Sequence, residues 1–254
     1  MVYFKRAIIW QFIMIAFLPI ANGQNLTSKD YYRTAGELGI FLYTQYGPHT
    51  EVSNLQNMSP NSFDKYFRDQ LLWSGGKMDD AKAASDILLY GVFVGTIPMT
   101  PLLSNDDYMS MLITNIEVMS INGTITNLVK NIVKRQRPAS FFKTRDEGED
   151  AYRSFFSGHT SSAFAIGTST AIMLSRSNPS KKTHIWAGCM GLATATGYFR
   201  LAADKHYMTD VLTGALTGIL IGNYVQNKRS NEYLSVSLSN LTEGVQFQIS
   251  IKLD

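Results

Sequence analysis

The chain has 254 residues, 45% hydrophobic and 17% charged, and its 23 Lys+Arg against 20 Asp+Glu give a formal charge of +3. That length supports one large domain or two small ones with a real core, and the composition excludes collagenous and disordered classes. The single Cys189 excludes an intramolecular disulfide and any multi-cysteine zinc or iron–sulfur site, and so small a net charge argues against a nucleic-acid partner.

Residues 1–23 carry Lys5 and Arg6, an apolar run from Ala7 to Ile20 and then Ala21-Asn22-Gly23, a small-x-small end suited to signal peptidase. The run is shorter than the ~20 residues a spanning helix needs. The expectation is a cleaved secretory signal, a mature charge of +1, and a place in the bacterial periplasm or envelope, with an inner-membrane anchor as the alternative. Residues 24–80 read as a polar, irregular segment with short helices such as Phe63–Leu72.

From residue 81 to 228 long apolar stretches at 84–103, 109–136, 159–176, 184–201 and 207–227 alternate with charged or turn-forming punctuation. They predict an all-α fold, an up-and-down bundle of about five to six core helices. Their charge-free intervals, 87–105, 160–175, 185–199 and 211–227, sit at or below the ~18–20 residues of a membrane span and are diluted by Ser, Thr, Gly and Asn. With a mean hydropathy of −0.06 they favour a soluble bundle with membrane-surface affinity over an embedded one. Gly214, Gly218 and Gly222 form a stripe at four-residue spacing that lets helix backbones approach closely, and Gly91 and Gly95 repeat the spacing once. Residues 229–254 switch to period two, Leu234, Val236 and Leu238 and then Val245 through Leu253, which predicts a C-terminal β-hairpin.

Three segments place polar groups in apolar surroundings. Lys130 and Arg137 are seven apart, nearly on one face of a helix, before Pro138 stops it. Ser157 is an N-cap candidate ahead of Gly158 and His159, where free backbone N–H groups favour an anion. Arg200 precedes His206 and Asp210, whose spacing of four lets a carboxylate reach an imidazole on a helix; since Arg200 and His206 would diverge on one helix, a break is expected near 203–205. Alone, each segment reads equally as a solvated or capped helix end. In an up-and-down bundle, however, all of them fall at the same end. Three cations, a helix N-terminus and two histidines in one cleft suit a tetrahedral oxyanion. His49 and His184 fall outside the three segments, and Lys134 and Arg135 read as solvated charges. Tyr207, Phe155 and Phe156 read as core or as an apolar wall.

These residues resemble the signature of the type 2 phosphatidic acid phosphatase superfamily, which includes class A bacterial acid phosphatases and vanadium haloperoxidases. The match runs through Lys130 and Arg137-Pro138, Ser157-Gly158-His159, and Arg200, His206 and Asp210; Phe156 and Phe199 replace a proline and a serine of the pattern. The resemblance implies hydrolysis of a phosphomonoester or a lipid (di)phosphate through a phosphohistidine. It makes His206 the nucleophile, Asp210 its orienting group and His159 the acid and then base. Lys130, Arg137, Ser157, Gly158 and Arg200 hold the phosphate, with neither metal nor cofactor. The competing readings are a vanadium-dependent haloperoxidase and a non-catalytic envelope module that binds anionic lipid headgroups through its cations. The substrate, soluble or lipid, and the oligomeric state stay open.

Overall fold

The computed structural model describes residues 26–47, 59–103 and 108–229, with 92–94 and the strand segments 234–241 and 244–251 as backbone. The expected signal segment 1–23 and His49 lie outside the described residues. The helices are α1 (Ser28–Tyr46), α2 (Ser62–Leu71), α3 (Lys77–Tyr90), α4 (Ile97–Leu102), α5 (Tyr108–Val133), α6 (Pro138–Phe141), α7 (Gly158–Ser177), α8 (Lys182–Ala202) and α9 (Met208–Arg229). A π-helical turn, Gly91–Thr96, joins α3 to α4. The backbone of β1 (Leu234–Leu241) pairs antiparallel with β2 (Gly244–Ile251).

Among the described residues, 81–228 forms helices joined by turns and loops and contains no strand, as its apolar periodicity leads one to expect. The N-terminal segment differs from the expectation of irregular chain, because α1 runs for 19 residues. A capping box starts it, with Asp30 accepting from the Thr27 backbone N–H and hydroxyl at 2.9 and 2.7 Å. Tertiary contact with α5 then holds it, including Asn127 donating to Gln45 at 3.0 Å. Interleaved aromatic and polar residues hide this helix from a periodicity reading, and long-range packing supplies what the local pattern lacks.

Helix α7 lies at the centre, packed on α5, α8 and α9, and an apolar core of Ile97, Leu112, Ile116, Val118, Ala165, Ile166, Ile221 and Val225 fills the space between α4, α5, α7 and α9. The hydroxyl and amide residues that dilute these helices bond across the same interfaces. Ser169 donates to Asn115 at 2.8 Å, Gln226 to Ser169 at 2.9 Å and Asn122 to Ser162 at 3.0 Å, all buried. No described helix is long and apolar enough to cross a membrane.

The glycine stripe of α9 is the point of closest approach to α7. A Cβ at Gly214 would stand 2.7 Å from the Ser157 carbonyl oxygen, one at Gly222 2.6 Å from that of Ala165, and one at Gly218 would overlap the Ser161 carbonyl. Gly91 and Gly95 meet nothing comparable and lie in the π-helical turn. Replacing a helical glycine by alanine ordinarily stabilises by ~1 kcal/mol. Gly218→Ala is expected to reverse that sign and cost roughly 1–3 kcal/mol, because backbone cannot move aside as a side chain can. Gly188→Ala on open α8, where nothing lies within 4 Å, is the control. Thermal denaturation of the two variants checks this, and an undiminished Tm for Gly218→Ala would refute the close-packing role.

Candidate active site

The end of α5, the starts of α7 and α9 and the end of α8 meet at one pole of the bundle. Helix α5 stops at Val133, and Lys134 takes a left-handed conformation (φ 47°) that turns the chain back. Arg137 therefore does not share a helical face with Lys130, as the spacing of seven implies; it sits on extended backbone capping α6, its N–H donating to the Ala151 carbonyl at 2.8 Å. Ser157 caps α7, its Oγ accepting from the Thr160 N–H. The Ser157 N–H in turn donates 3.0 Å to the Asp210 carbonyl, which ties the two helix starts together. Residues 203–207 break α8 from α9, and the Lys205 N–H donates back to the Arg200 carbonyl at 3.1 Å, so that Arg200 and His206 come to one side.

The electrostatics reflect how closely these groups meet. Burial, and then the neighbouring Arg137, Arg153 and Arg200, push the Lys130 ammonium well below its ordinary pKa. Burial and Arg137 bring Arg200 down to about 9. His206 is driven far below the usual imidazole value by burial and by Arg137, Arg200 and Lys130, while His159 falls to about 3 through burial and Arg200. Both rings are neutral at pH 7. Gly158 lies against Lys130, whose Nζ would stand 3.8 Å from a Cβ added there. The acidic neighbours are few: Arg137 is 3.6 Å from Glu147 and 3.8 Å from Asp150, and Arg200 is 3.6 Å from Asp86. Nε of Arg137, Nε of Arg200 and Nδ1 of His206 are buried without a hydrogen-bond partner among the described residues.

The His206–Asp210 contact is looser than the spacing of four implies. Nδ1 lies 3.8 Å from Asp210 Oδ2, too far for a hydrogen bond, because His206 precedes α9 and is not on its helical surface. Asp210 is held instead by Ser154 Oγ at 2.6 Å and the Tyr207 N–H at 2.9 Å on Oδ2, and by Arg135 Nη1 at 2.6 Å on Oδ1. Burial raises its pKa against those donors.

Arg135 is therefore no solvated helix-end charge. Its other nitrogen donates 2.6 Å to Asp64 Oδ2, Nη1 also reaches Thr209 Oγ1 at 2.7 Å, and the guanidinium lies 4.2 Å from the Tyr207 ring centroid. Asp64, fully buried on α2, accepts in addition from the Thr209 N–H and hydroxyl, both at 2.9 Å. Helix α2, within the segment that reads as polar and irregular, supplies this carboxylate and also Arg68, bidentate to Asp204 at 2.7 and 2.8 Å beside the 203–207 turn. Asn61 and Asp64 have the spacing of a helix cap, and that local role conceals the distant one. His184, by contrast, lies exposed on α8, away from these groups.

The profile of the PAP2 superfamily matches residues 112–232. Among solved structures, the chain is similar to the first transmembrane PAP2-type phosphatidylglycerolphosphate phosphatase from Bacillus subtilis, at 18% identity and a TM-score of 0.54, covering 79% of this chain and 97% of that one. It is also similar to Aquifex aeolicus LpxE, at 23% identity and a TM-score of 0.35, covering 75% of this chain and 94% of that one. The first of these is a likeness of fold.

Proposed function

We propose that this chain, whose residues 112–232 match the PAP2 superfamily, is a phosphoric ester hydrolase that cleaves a phosphomonoester or a lipid (di)phosphate through a phosphohistidine on His206. The observation that carries this reading is a cluster of cations, Arg137 and Arg200 buried and Lys130 partly so, with too few carboxylates, each lowering the proton affinity of the next, beside two neutral imidazoles. An entering phosphate supplies the missing negative charge and accepts from the unpartnered guanidinium nitrogens.

Nδ1 of His206 faces Asp210, so Nε2 attacks phosphorus in line with the leaving oxygen. Lys130, Arg137 and Arg200, with Ser157 and the Gly158 N–H at the start of α7, bind the equatorial oxygens as charge spreads over them. His159 gives a proton to the leaving oxygen and then takes one from the water that attacks the phosphohistidine. Asp210 stabilises the positive charge that develops on His206. Positioning and fixed charge supply most of the acceleration in phosphoryl transfer, so these groups suffice without further parts.

The catalytic unit takes in α2 as well as residues 81–228, since α2 anchors Arg135. The hairpin 229–254 stands outside it. Work in the cell envelope is supported by the signal-like residues 1–23 and by Leu212, Leu216, Leu220 and Tyr224, an exposed apolar stripe along α9 suited to a lipid surface.

The test is release of inorganic phosphate from 4-nitrophenyl phosphate and from a short-chain phosphatidic acid in detergent. Vanadate is expected to inhibit competitively, because it adopts the five-coordinate geometry of the transferring group. Failure to hydrolyse either ester, or indifference to millimolar vanadate, would sink the reading.

A further inference from the structure

Asp86, on α3 and outside the residues that match the family, is hydrogen-bonded directly to one of the cluster's two imidazoles, His159. Its Oδ1 lies 2.8 Å from His159 Nε2 and 3.6 Å from Arg200 Nη1. Ser85 beside it accepts from Arg200 Nη1 at 3.1 Å, so consecutive residues of α3 grip both. The His159 bond and the charge of Arg200 outweigh burial and keep the Asp86 carboxyl below its ordinary range. An ionised carboxylate only accepts, so Nε2 carries hydrogen and Nδ1 is the nitrogen left for chemistry.

Resting on the phosphatase reading above, we propose that Asp86 is a positioning residue: it fixes the His159 ring through Nε2–H and balances the imidazolium, so that Nδ1 delivers the proton to the leaving oxygen.

The proton accounting is closed. The monoanionic ester brings in its own proton and hands it to His159 Nδ1, since the free ring is neutral. As the His206 Nε2–P bond forms, the P–O bond to the leaving group breaks with its electron pair on oxygen, and that oxygen takes the Nδ1 proton. In the second half a water oxygen bonds to phosphorus, the N–P pair returns to His206, and the water proton goes to His159 Nδ1 and leaves with the phosphate. The Nε2–H stays on Asp86 throughout. The groups facing His159 are Arg200 from α8, Lys130 from α5, His206 from the 203–207 turn and Asp86 from α3. Of these four only Asp86 favours the charged ring. Its partly exposed position and its absence from the apolar core make substitution tolerable to the fold.

The experiment compares Asp86→Asn, Asp86→Glu and the unaltered protein on 4-nitrophenyl phosphate, whose leaving group needs little protonation, and on a short-chain phosphatidic acid, whose alkoxide needs a full proton. Asp86→Asn is expected to lose roughly 10²-fold in kcat on the lipid ester and no more than ~5-fold on the aryl ester, with KM little changed. The alkaline limb of kcat shifts to lower pH on whichever ester is cleaved, and Asp86→Glu restores part of both. A structural role through Arg200 instead raises KM and lowers both rates equally, with the limb unmoved; that result overturns the inference while leaving the hydrolase intact. If the unaltered protein cleaves neither ester, the underlying reading fails instead. Should Asp86→Asn not fold, Asp86→Ala carries the same two readouts, and an unmoved limb there overturns the inference equally.

Discussion

His206→Ala is expected to remove phosphate release by at least ~10⁴-fold while leaving the protein folded, because without a nucleophile the cradle alone cannot form the covalent intermediate. The imidazole is buried but its Nδ1 makes no hydrogen bond among the described residues, so truncation breaks none. The change in stability should stay within ~2 kcal/mol, read as a Tm shift of a few degrees. Single-turnover measurement would show no protein-bound phosphate. Substantial hydrolysis by a folded His206→Ala protein would remove the nucleophile assignment. The pH profile follows from the same crowding. His206 is neutral well below its ordinary pKa, so the acid limb of kcat/KM from the nucleophile lies below pH ~6.5. His159, at about 3 in the free site, brings no proton at pH 7. The proton for the leaving oxygen must then arrive with the monoanionic ester, and kcat/KM is expected to fall as pH rises past the second phosphate pKa near ~6. A profile flat from pH 5 to 8 would refute this.

Arg135→Ala should cost the most stability of any single change at the site, about 3–5 kcal/mol. It strands two fully buried carboxylates, Asp64 and Asp210, that now share one guanidinium through bonds of 2.6 Å each. Activity should fall with it, since Asp210, left without that counter-charge, shifts or takes up a proton, and either change weakens its hold on the charge at His206. Arg135→Lys is not expected to rescue, because one ammonium cannot span both carboxylates and Thr209 as the planar fork does. Asp64→Asn, which keeps the shape and the Thr209 N–H contact, should lose less. Urea denaturation and kcat for the three variants decide the matter. An Arg135→Ala protein as stable and as active as the parent would mean that the buried clamp contributes nothing.

Legibility in the sequence followed the range of the interactions involved. Helices α5, α7, α8 and α9 are visible because each buries an apolar stripe over many turns, and their ends lie within a few residues of the periodicity. The turn at Lys134 was foreshadowed only as a stop at Pro138. Glycine spacing announced the tight α7–α9 contact, whereas α1 escaped notice because its side chains gain their partners from α5, far along the chain. At the site, Lys130, Ser157, His159, Arg200 and His206 were singled out by residue type and spacing, and the fold sets them at one pole. Arg135 looked like one more basic residue in a basic run. Asp86 looked like a lone polar position on a helix, and Asp64 like a cap.

The sequence by itself determined the helical class, the alternation of helix ends that gathers the cations, and which residues are candidates for the chemistry, since these depend on periodicity and local spacing. Only the tertiary structure decided which carboxylates serve them. Asp64, Asp86 and Asp210 act across 71, 73 and 75 residues of chain on Arg135 and His159. A salt bridge or hydrogen bond is set by distance in space and by burial, and neither is written in the order of the residues.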